Sequence, residues 1–347
     1  MKVAIVAFNN IKYSPYVNTY SNYLDNNGIK YDVIFPDRNK LNESIGENTY
    51  SLYWDSEKSK LYNFIKFAYA AKKILKKNKY DFVCVLTTMP AVLLSTFLAN
   101  RYKNRYLVDV RDYTYENIRP YFWLEKLAFK NAGMRVVSSK DFENFLPKSN
   151  YCMCHNTSYD FRNAIQCFNR QTGKIIIGYV GSISYVKYCK HLIDLVKDDE
   201  RFEFHFYGNE THGKIISEYV KDLDNERIKF FGAYEPSQKG QIIENVDLLF
   251  NVYGNSSPLV KYAVSNKLYD AFYYKKPILT SPDTTMSELA KEYSFDIDLN
   301  TENLAGLYEW YKKIDSENFV EYSEQMIETI VSDINYFEKN LNEIFLK

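Results

Sequence analysis

Three short stretches of this chain place anion-seeking groups at what read as strand ends. In IGYVGSISYVKY, residues 177–188, an apolar run closes on Gly181, with Ser182 next and Lys187 a few positions on. Glycine there lets backbone N–H groups approach a phosphate closely, and a nearby ammonium can neutralise it. An ordinary tight turn between strand and helix uses the same residues, and one glycine does not separate the two readings. FHFYGNE, residues 204–210, sets Gly208 and Asn209 at the equivalent place in its own unit. VSNKLYDAFYYKKPILTS, residues 264–281, opens a helix on Ser265. With Ser265 as N-cap, the N–H groups of Asn266, Lys267 and Leu268 and the positive end of the helix dipole would face a phosphate. Lys267 adds a full charge, and Asp270, one turn on, can accept hydrogen bonds from sugar hydroxyls. Asp270 as a carboxylate complementing the dipole, with Lys267 as a solvated charge, stays open as the alternative. Pro277 cannot continue the helix and forces the entry to strand PILTS.

A second constellation sits earlier. In DVRDYTYE, residues 109–116, Asp109, Arg111 and Asp112 end an apparent strand. A carboxylate projecting from a strand end can orient or deprotonate a hydroxyl. An N-cap plus a salt bridge accounts for the same residues, and Asp112 is the candidate base. His155 and His205 read as core or surface residues. The five Cys, at 84, 152, 154, 167 and 189, form no CxxC pair and read as reduced, mostly buried thiols, so Cys152, Cys154 and His155 make a poor metal set. With no DxD motif beside an evident donor strand, no metal requirement is expected.

These residues need rigid elements behind them. Short β-rich runs (KVAIVAF, YDVIFP, DFVCVLTT, RYLVDV, MRVVSS) alternate with helical patterns, which argues for βα units around a parallel sheet. Leu61, Phe64, Ile65, Ala68, Ala71 and Leu75 follow helical spacing, while Lys66, Lys72, Lys73, Lys76 and Lys77 lie off that stripe. This predicts a basic amphipathic helix over 61–79. TSYDFRNAIQCFNRQTG has neither period and suits a linker. A second series follows: KIIIGYV, FEFHFYG, RIKFFG, DLLFNVY and PILTS. The expectation is an α/β chain of two doubly wound Rossmann-like domains, 1–165 and 166–315, with a helical segment 316–347 packing back toward the first. Ligands of such sheets bind at the carboxyl ends of the strands, here in a shared central cleft.

The 347 residues suit two domains, and 46% apolar with 25% charged residues is ordinary for a globular protein. Formal net charge is zero, yet Lys and Arg outnumber Asp and Glu by 24 to 15 up to residue 165 and are outnumbered 20 to 29 beyond it. That +9 and −9 asymmetry fits an anionic partner for the first half. Clustered lysines on the helix suggest an anionic membrane surface. Without a recognisable nucleic-acid-binding module, nucleic acid is not an expected partner. MKVAIVAF runs straight into polar NNIKYS, unlike a signal peptide, and no apolar run approaches a bilayer span. A cytoplasmic protein, peripheral on the inner face of the membrane, is expected.

The order GYVGSI, FHFYGN, IKFFGAYEPSQKGQIIENVDLLFNVY, SNKLYDAFYYKKPILTS resembles the C-terminal nucleotide-sugar domain of group 1 (family 4) glycosyltransferases of the GT-B fold. VAIVAFNN, DVRDYTYE and HNTSYDF, the last similar to an interdomain NG-type loop, extend the resemblance over nearly the whole chain. It implies sugar transfer from a nucleotide-sugar, UDP preferred over GDP, to a glycan or lipid-diphosphate-linked acceptor in cell-surface polysaccharide synthesis, with retained configuration and no cofactor. It also implies Gly181, Ser182 and Lys187 on the diphosphate, Ala233 to Glu235 with Tyr234 at the base, and Asp270 on the ribose. Lys267 matches the KL[FY][DE] form of the motif, and Asn9, Asp109, Arg111 and Asp112 fall on the acceptor side. The first carboxylate of the Glu-x7-Glu pair is replaced by Tyr262, beside Lys261. Phe8-Asn9-Asn10 replaces the glycine of the first loop, and Lys275 stands where GKP is common. A nucleotide-sugar 2-epimerase, or a catalytically silent nucleotide-sugar-binding scaffold subunit, is the alternative.

Overall fold

A computed structural model describes residues 1–157, 159, 161, 164 and 173–346, the side chain of Glu292 excepted. Most of the expected linker, and Cys167 with it, lies outside the described residues. The chain divides into two units, Met1–His155 with Asp333–Lys347, and Asn156–Ser332.

The first unit is built on strands β1 (Lys2–Val6), β2 (Lys30–Asp37), β3 (Asn48–Tyr53), β4 (Phe82–Leu86), β5 (Tyr106–Val110), β6 (Met134–Val137) and β7 (Cys152–Met153). Their order is β3-β2-β1-β4-β5-β6-β7, with every pairing parallel. The second unit holds β8 (Ile175–Val180), β9 (Phe202–Tyr207), β10 (Ile228–Gly232), β11 (Leu248–Phe250), β12 (Ile278–Thr280) and β13 (Ser294–Asp296). Their order is β10-β9-β8-β11-β12-β13, again parallel throughout. In each unit the chain starts mid-sheet, steps to one edge, then returns to build the other side. The reversal falls between β1 and β4 and between β8 and β11, where doubly wound sheets leave a crevice at their carboxyl ends.

The central strands are near-continuous apolar runs because helices cover both faces; β4, β5 and most of β1 are wholly buried. The edges look different. β3 is half-exposed and reads NTYSLY, and β7 has only two residues. The helix Ser316–Phe345 serves both units: Phe319 joins the core of the second, while Phe337, Leu341 and Phe345 pack with Tyr20 and Phe82 in the first.

The basic helix is present as Lys60–Asn78, but its buried face differs from the expected stripe. Asn63, Phe67, Ala68, Ala71 and Leu75 are buried, whereas Leu61 and Ile65 are 66% and 61% exposed. Asn63 enters the core because its carboxamide accepts from Asp55 N at 2.9 Å and donates to the Asp55 carbonyl at 2.8 Å, which satisfies it and rotates the helix. Leu61, Ile65 and Tyr69 are thereby left on the solvent side at i, i+4 and i+8.

One buried carboxyl makes stability depend on pH. Glu125, in helix Arg119–Asn131, is fully buried with neither oxygen hydrogen-bonded. Burial, and then the Glu116 charge, push its pKa from 4.5 up to about 9. The folded chain therefore keeps a proton that the unfolded chain releases, and stability falls as pH rises across that window. Glu125→Gln removes the titration: chemical denaturation at pH 8 should show the variant more stable by about 1–3 kcal/mol, with the difference vanishing near pH 4. Equal stability at both pH values would contradict this.

Candidate active site

In the second unit a cavity of about 670 Å³ opens at the carboxyl ends of β8, β9, β10 and β11. Gly181 follows β8 and Gly208 follows β9, both with left-handed φ, +121° and +141°. A Cβ on Gly208 would lie 1.8 Å from the Gly181 carbonyl oxygen, so only glycine permits the two strand ends to meet. Gly181 N donates to the Tyr207 carbonyl at 2.8 Å and Gly208 N to that of Gly232 at 2.7 Å, which locks all three turns together. Ser182, Asn209, Ala233 and Tyr234 also line the cavity.

The helix Asn266–Tyr273 delivers the charges. Ser265 is its N-cap residue, but its hydroxyl donates to Asn251 Oδ1 at 2.8 Å instead of capping the first turn. The first-turn N–H groups consequently lack a side-chain partner at the positive end of the dipole. Lys267 is nine-tenths buried, with no carboxylate paired to it among the described residues. Its Nζ donates to Tyr253 Oη at 2.7 Å and lies 4.7 Å from the centre of the Tyr179 ring. A Cβ on Gly181 would lie 3.7 Å from that Nζ, so the ammonium stands directly beside the first glycine. Tyr253 is held by stacking on Tyr185, centroids 4.1 Å apart, and Tyr185 itself adopts φ +56°. Burial raises the pKa of Tyr253, which keeps it a neutral acceptor for the lysine.

Asp270 is buried, and its Oδ1 accepts from Lys239 Nζ at 2.6 Å and from Tyr159 Oη. Tyr159 stacks on Tyr273 with centroids 4.4 Å apart. Asn156, from the loop-like HNT segment, lines the cavity and donates to Asn266 Oδ1 at 3.2 Å.

Of the expected donor residues, Gly181, Ser182, Gly208, Asn209, Ala233, Tyr234, Lys267 and Asp270 come together here. Lys187 does not: it is exposed on helix Val186–Val196, away from the cavity lining, and Lys267 holds the position beside Gly181. Leu268 is core, its N–H bonded to the Ser265 carbonyl at 3.1 Å. Tyr262 and Lys261 are absent from the lining. Residues that the sequence reading missed are Lys239, Tyr253, Tyr185 and Tyr159. Only Tyr253 carried a signal, as the last residue of the strand-like DLLFNVY.

The first unit has its own cavity, of about 290 Å³, reached by Asn9 and Asp112 but not by Asp109 or Arg111. Those two share a strand face through the two-residue period and point inward. Asp109 Oδ2 accepts from Tyr20 Oη at 2.7 Å and Arg111 Nη2 at 2.6 Å, and Arg111 Nη1 donates to the Cys154 carbonyl at 3.0 Å. They form a buried structural ion pair, and the expectation that they face an acceptor is corrected accordingly. Asp112, outside that alternation, stands at the cavity. Crowding by protein pushes its pKa up to about 6, Arg111 opposing and Glu116 adding to the shift.

Residues 2–132 match the family described as glycosyl transferase 4-like. No curated protein sequence matches the chain. Solved structures share its fold end to end. The lipopolysaccharide outer core galactosyltransferase WaaB superposes with a TM-score of 0.69 at 15% identity, over 100% of this chain and 99% of that one. Anabaena HepE in complex with UDP and glucose gives 0.67 at 13%, over 99% and 100%. The UDP-GlcNAc 2-epimerase of Neisseria meningitidis gives 0.59 at 16%, over 96% and 100%. The family match thus covers most of the first unit, and along its whole length the chain has the fold of these structures, the two-domain GT-B fold.

Proposed function

We propose that the chain transfers a sugar from a nucleoside diphosphate donor, UDP-linked, to a glycan or lipid-diphosphate-linked acceptor in cell-surface polysaccharide synthesis. The observation that carries this reading is Lys267: a buried ammonium with no carboxylate paired to it among the described residues, beside a glycine turn and at an uncapped helix start. The diphosphate sits between Gly181, Ser182 and Lys267, with the base against Ala233 and Tyr234 and the ribose at Asp270. As the glycosidic bond breaks, negative charge builds on the leaving phosphate, and Lys267 with the helix N-terminus stabilises it. Neutralisation by the chain's own cations is the basis for proposing transfer that requires no metal, and retention of configuration follows the resemblance. HepE, crystallised with UDP and glucose, supports the choice of UDP. In the first unit Asp112 receives or orients the acceptor hydroxyl.

Isothermal titration with UDP should show Lys267→Ala binding about 100-fold more weakly and Tyr253→Phe about tenfold. Gly208→Ala, forced against the Gly181 carbonyl, should lose binding altogether. Unchanged UDP affinity in both Lys267→Ala and Asp270→Ala defeats the site assignment.

Asp112 must be ionised to act as a base, so transfer should fall as pH drops through its pKa of about 6. Asp112→Asn should lower the rate and abolish that acidic limb, while leaving UDP affinity intact. A pH profile unaltered in the variant removes Asp112 from the chemistry.

The exposed Leu61, Ile65 and Tyr69 beside the lysines of Lys60–Asn78 support peripheral attachment to an anionic bilayer through this helix. No helix among the described residues is long and apolar enough to cross a membrane. Sedimentation with vesicles containing phosphatidylglycerol should carry the protein down, and Ile65→Glu should release it. Equal sedimentation of both proteins argues against the helix.

Two rivals have specific support, the epimerase fold match and Tyr262 in place of a donor-sugar carboxylate. Incubation with a UDP-sugar alone separates them from transfer: an epimeric sugar nucleotide formed without acceptor marks the epimerase, and tight donor binding with no turnover on any acceptor pool marks the scaffold subunit.

A further inference from the structure

The cavity of the first unit holds a cation that forms no ion pair among the described residues. Arg38, just beyond β2, lines it, with its guanidinium 4.3 Å from the centre of the Trp54 ring and 4.9 Å from that of Phe8. One Nη2 donates to the Phe8 carbonyl at 2.6 Å, while Nε is buried with no hydrogen-bond partner. The acids close to it in sequence are already committed. Asp37 accepts from Asn10 Nδ2 at 2.6 Å and from the backbone N–H groups of Leu41 and Asn42. Glu43 accepts from Asn10 Nδ2 at 2.9 Å and from the N–H groups of Ile11 and Lys12. Asp112 lines the same cavity but forms no ion pair with Arg38 among the described residues. Lys60 is a second cation on the wall, at the first position of its helix, where the dipole repels it. Burial lowers the pKa of Arg38, the mark of a guanidinium that water and protein under-solvate.

A half-buried guanidinium with an unsatisfied donor and no ion pair among the described residues is costly unless a ligand completes it, and its planar fork matches carboxylate or phosphate. The other walls have the composition of a sugar site: Trp54 and Phe64 add aromatic rings, and Asn9, Thr87 and Thr114 add hydrogen-bonding groups. About 290 Å³ is at the lower edge of ligand cavities and suits a single sugar residue.

Resting on the glycosyltransferase reading, we infer that this cavity is an acceptor subsite selective for an acidic sugar, whose carboxylate or phosphate oxygens pair with Arg38 and Lys60. Specificity for an anionic acceptor is thereby carried by Arg38, just after β2, and Lys60, at the start of its helix, in the cavity that Asp112 also lines.

The test is ligand-observed NMR titration of the full chain, saturated with UDP to occupy the donor cavity, with three probes: methyl glucuronide, glucose 1-phosphate and methyl glucoside. At least one anionic probe should bind about tenfold or more tightly than the neutral one. Methyl glucuronide winning identifies a uronate as the natural group, and glucose 1-phosphate winning identifies a phosphorylated sugar. Arg38→Gln, and separately the surface substitution Lys60→Gln, should each reduce that preference while leaving UDP affinity as in the parent. Equal binding of all three probes, or an anion preference untouched by both substitutions, overturns the inference. Loss of UDP binding in the parent would instead strike the donor reading, and the same titration without UDP still decides the acceptor subsite.

Discussion

A buried ammonium with no carboxylate paired to it among the described residues sets the terms for the second unit. Desolvating a lysine is expensive, and a protein that does so must supply compensating dipoles or leave the place for an anion. The chain supplies just enough to hold Lys267 in place: one neutral hydroxyl from Tyr253 and the face of Tyr179. Everything nearby follows from keeping that group beside the strand ends. Gly208 lets β9 close against Gly181, Tyr185 accepts a left-handed backbone to stack on Tyr253, and Ser265 turns to Asn251 and leaves the helix start uncapped. Each arrangement is locally unfavourable, and together they make sense around a phosphate. Several unfavourable arrangements converging on one charged group are the usual mark of a site.

Net charge and local field point in different directions here. The second half of the chain is acidic and the first basic, which suggested an anionic partner for the first half. Yet the uncompensated Lys267 lies in the acidic unit, because field in a cavity is set by what stands within a few ångströms rather than by summed surface charge. Both units turn out to hold a poorly paired cation at the carboxyl end of a parallel sheet, Lys267 in one and Arg38 in the other. The two are solvated alike, by aromatic faces and a single oxygen. At these two places, unlike Arg111 with its Asp109, aromatic rings stand where a carboxylate partner would, which leaves each cation's charge available to a ligand.

How much of this was legible in the sequence depended on how local the cause was. The parallel architecture and the core strands could be read because apolar runs such as VAIV and LLF are set by burial on both faces. The edge strand β3 could not, since NTYSLY pairs on one side only and needs no apolar signature. Gly181, Gly208, Lys267 and Asp270 were found because turn and helix-start chemistry is written in adjacent residues. Lys187 was misplaced by treating proximity along the chain as proximity in space: as the second residue of its helix it is turned to solvent. Asp109 and Arg111 were misplaced by ignoring that residues two apart on a strand share a face, here the inner one. Arg38 and Lys239 left no trace, as their importance lies in which acids are absent or occupied around them. Lys275 was legible only as a missing glycine, and its φ of +52° explains why glycine would suit that position.

The ion pair between Lys239 and Asp270 bears on what the donor cavity offers a ligand. Asp270 was expected to hold a ribose by its carboxylate, yet its Oδ1 already accepts from Lys239 and Tyr159. A carboxylate has roughly four lone-pair directions, so accepting two bonds on one oxygen fixes its orientation without exhausting it. What the pair does remove is charge: Lys239 cancels Asp270, so that under the proposed donor reading a dinegative diphosphate would meet Lys267 as the uncancelled cation, without an unpaired Asp270 to repel it. An unpaired Asp270 would oppose the phosphates at close range in a site of low dielectric. Lys239 therefore makes it possible for one cavity to hold both a hydroxyl-accepting carboxylate and an anion, a combination that neither residue type permits alone.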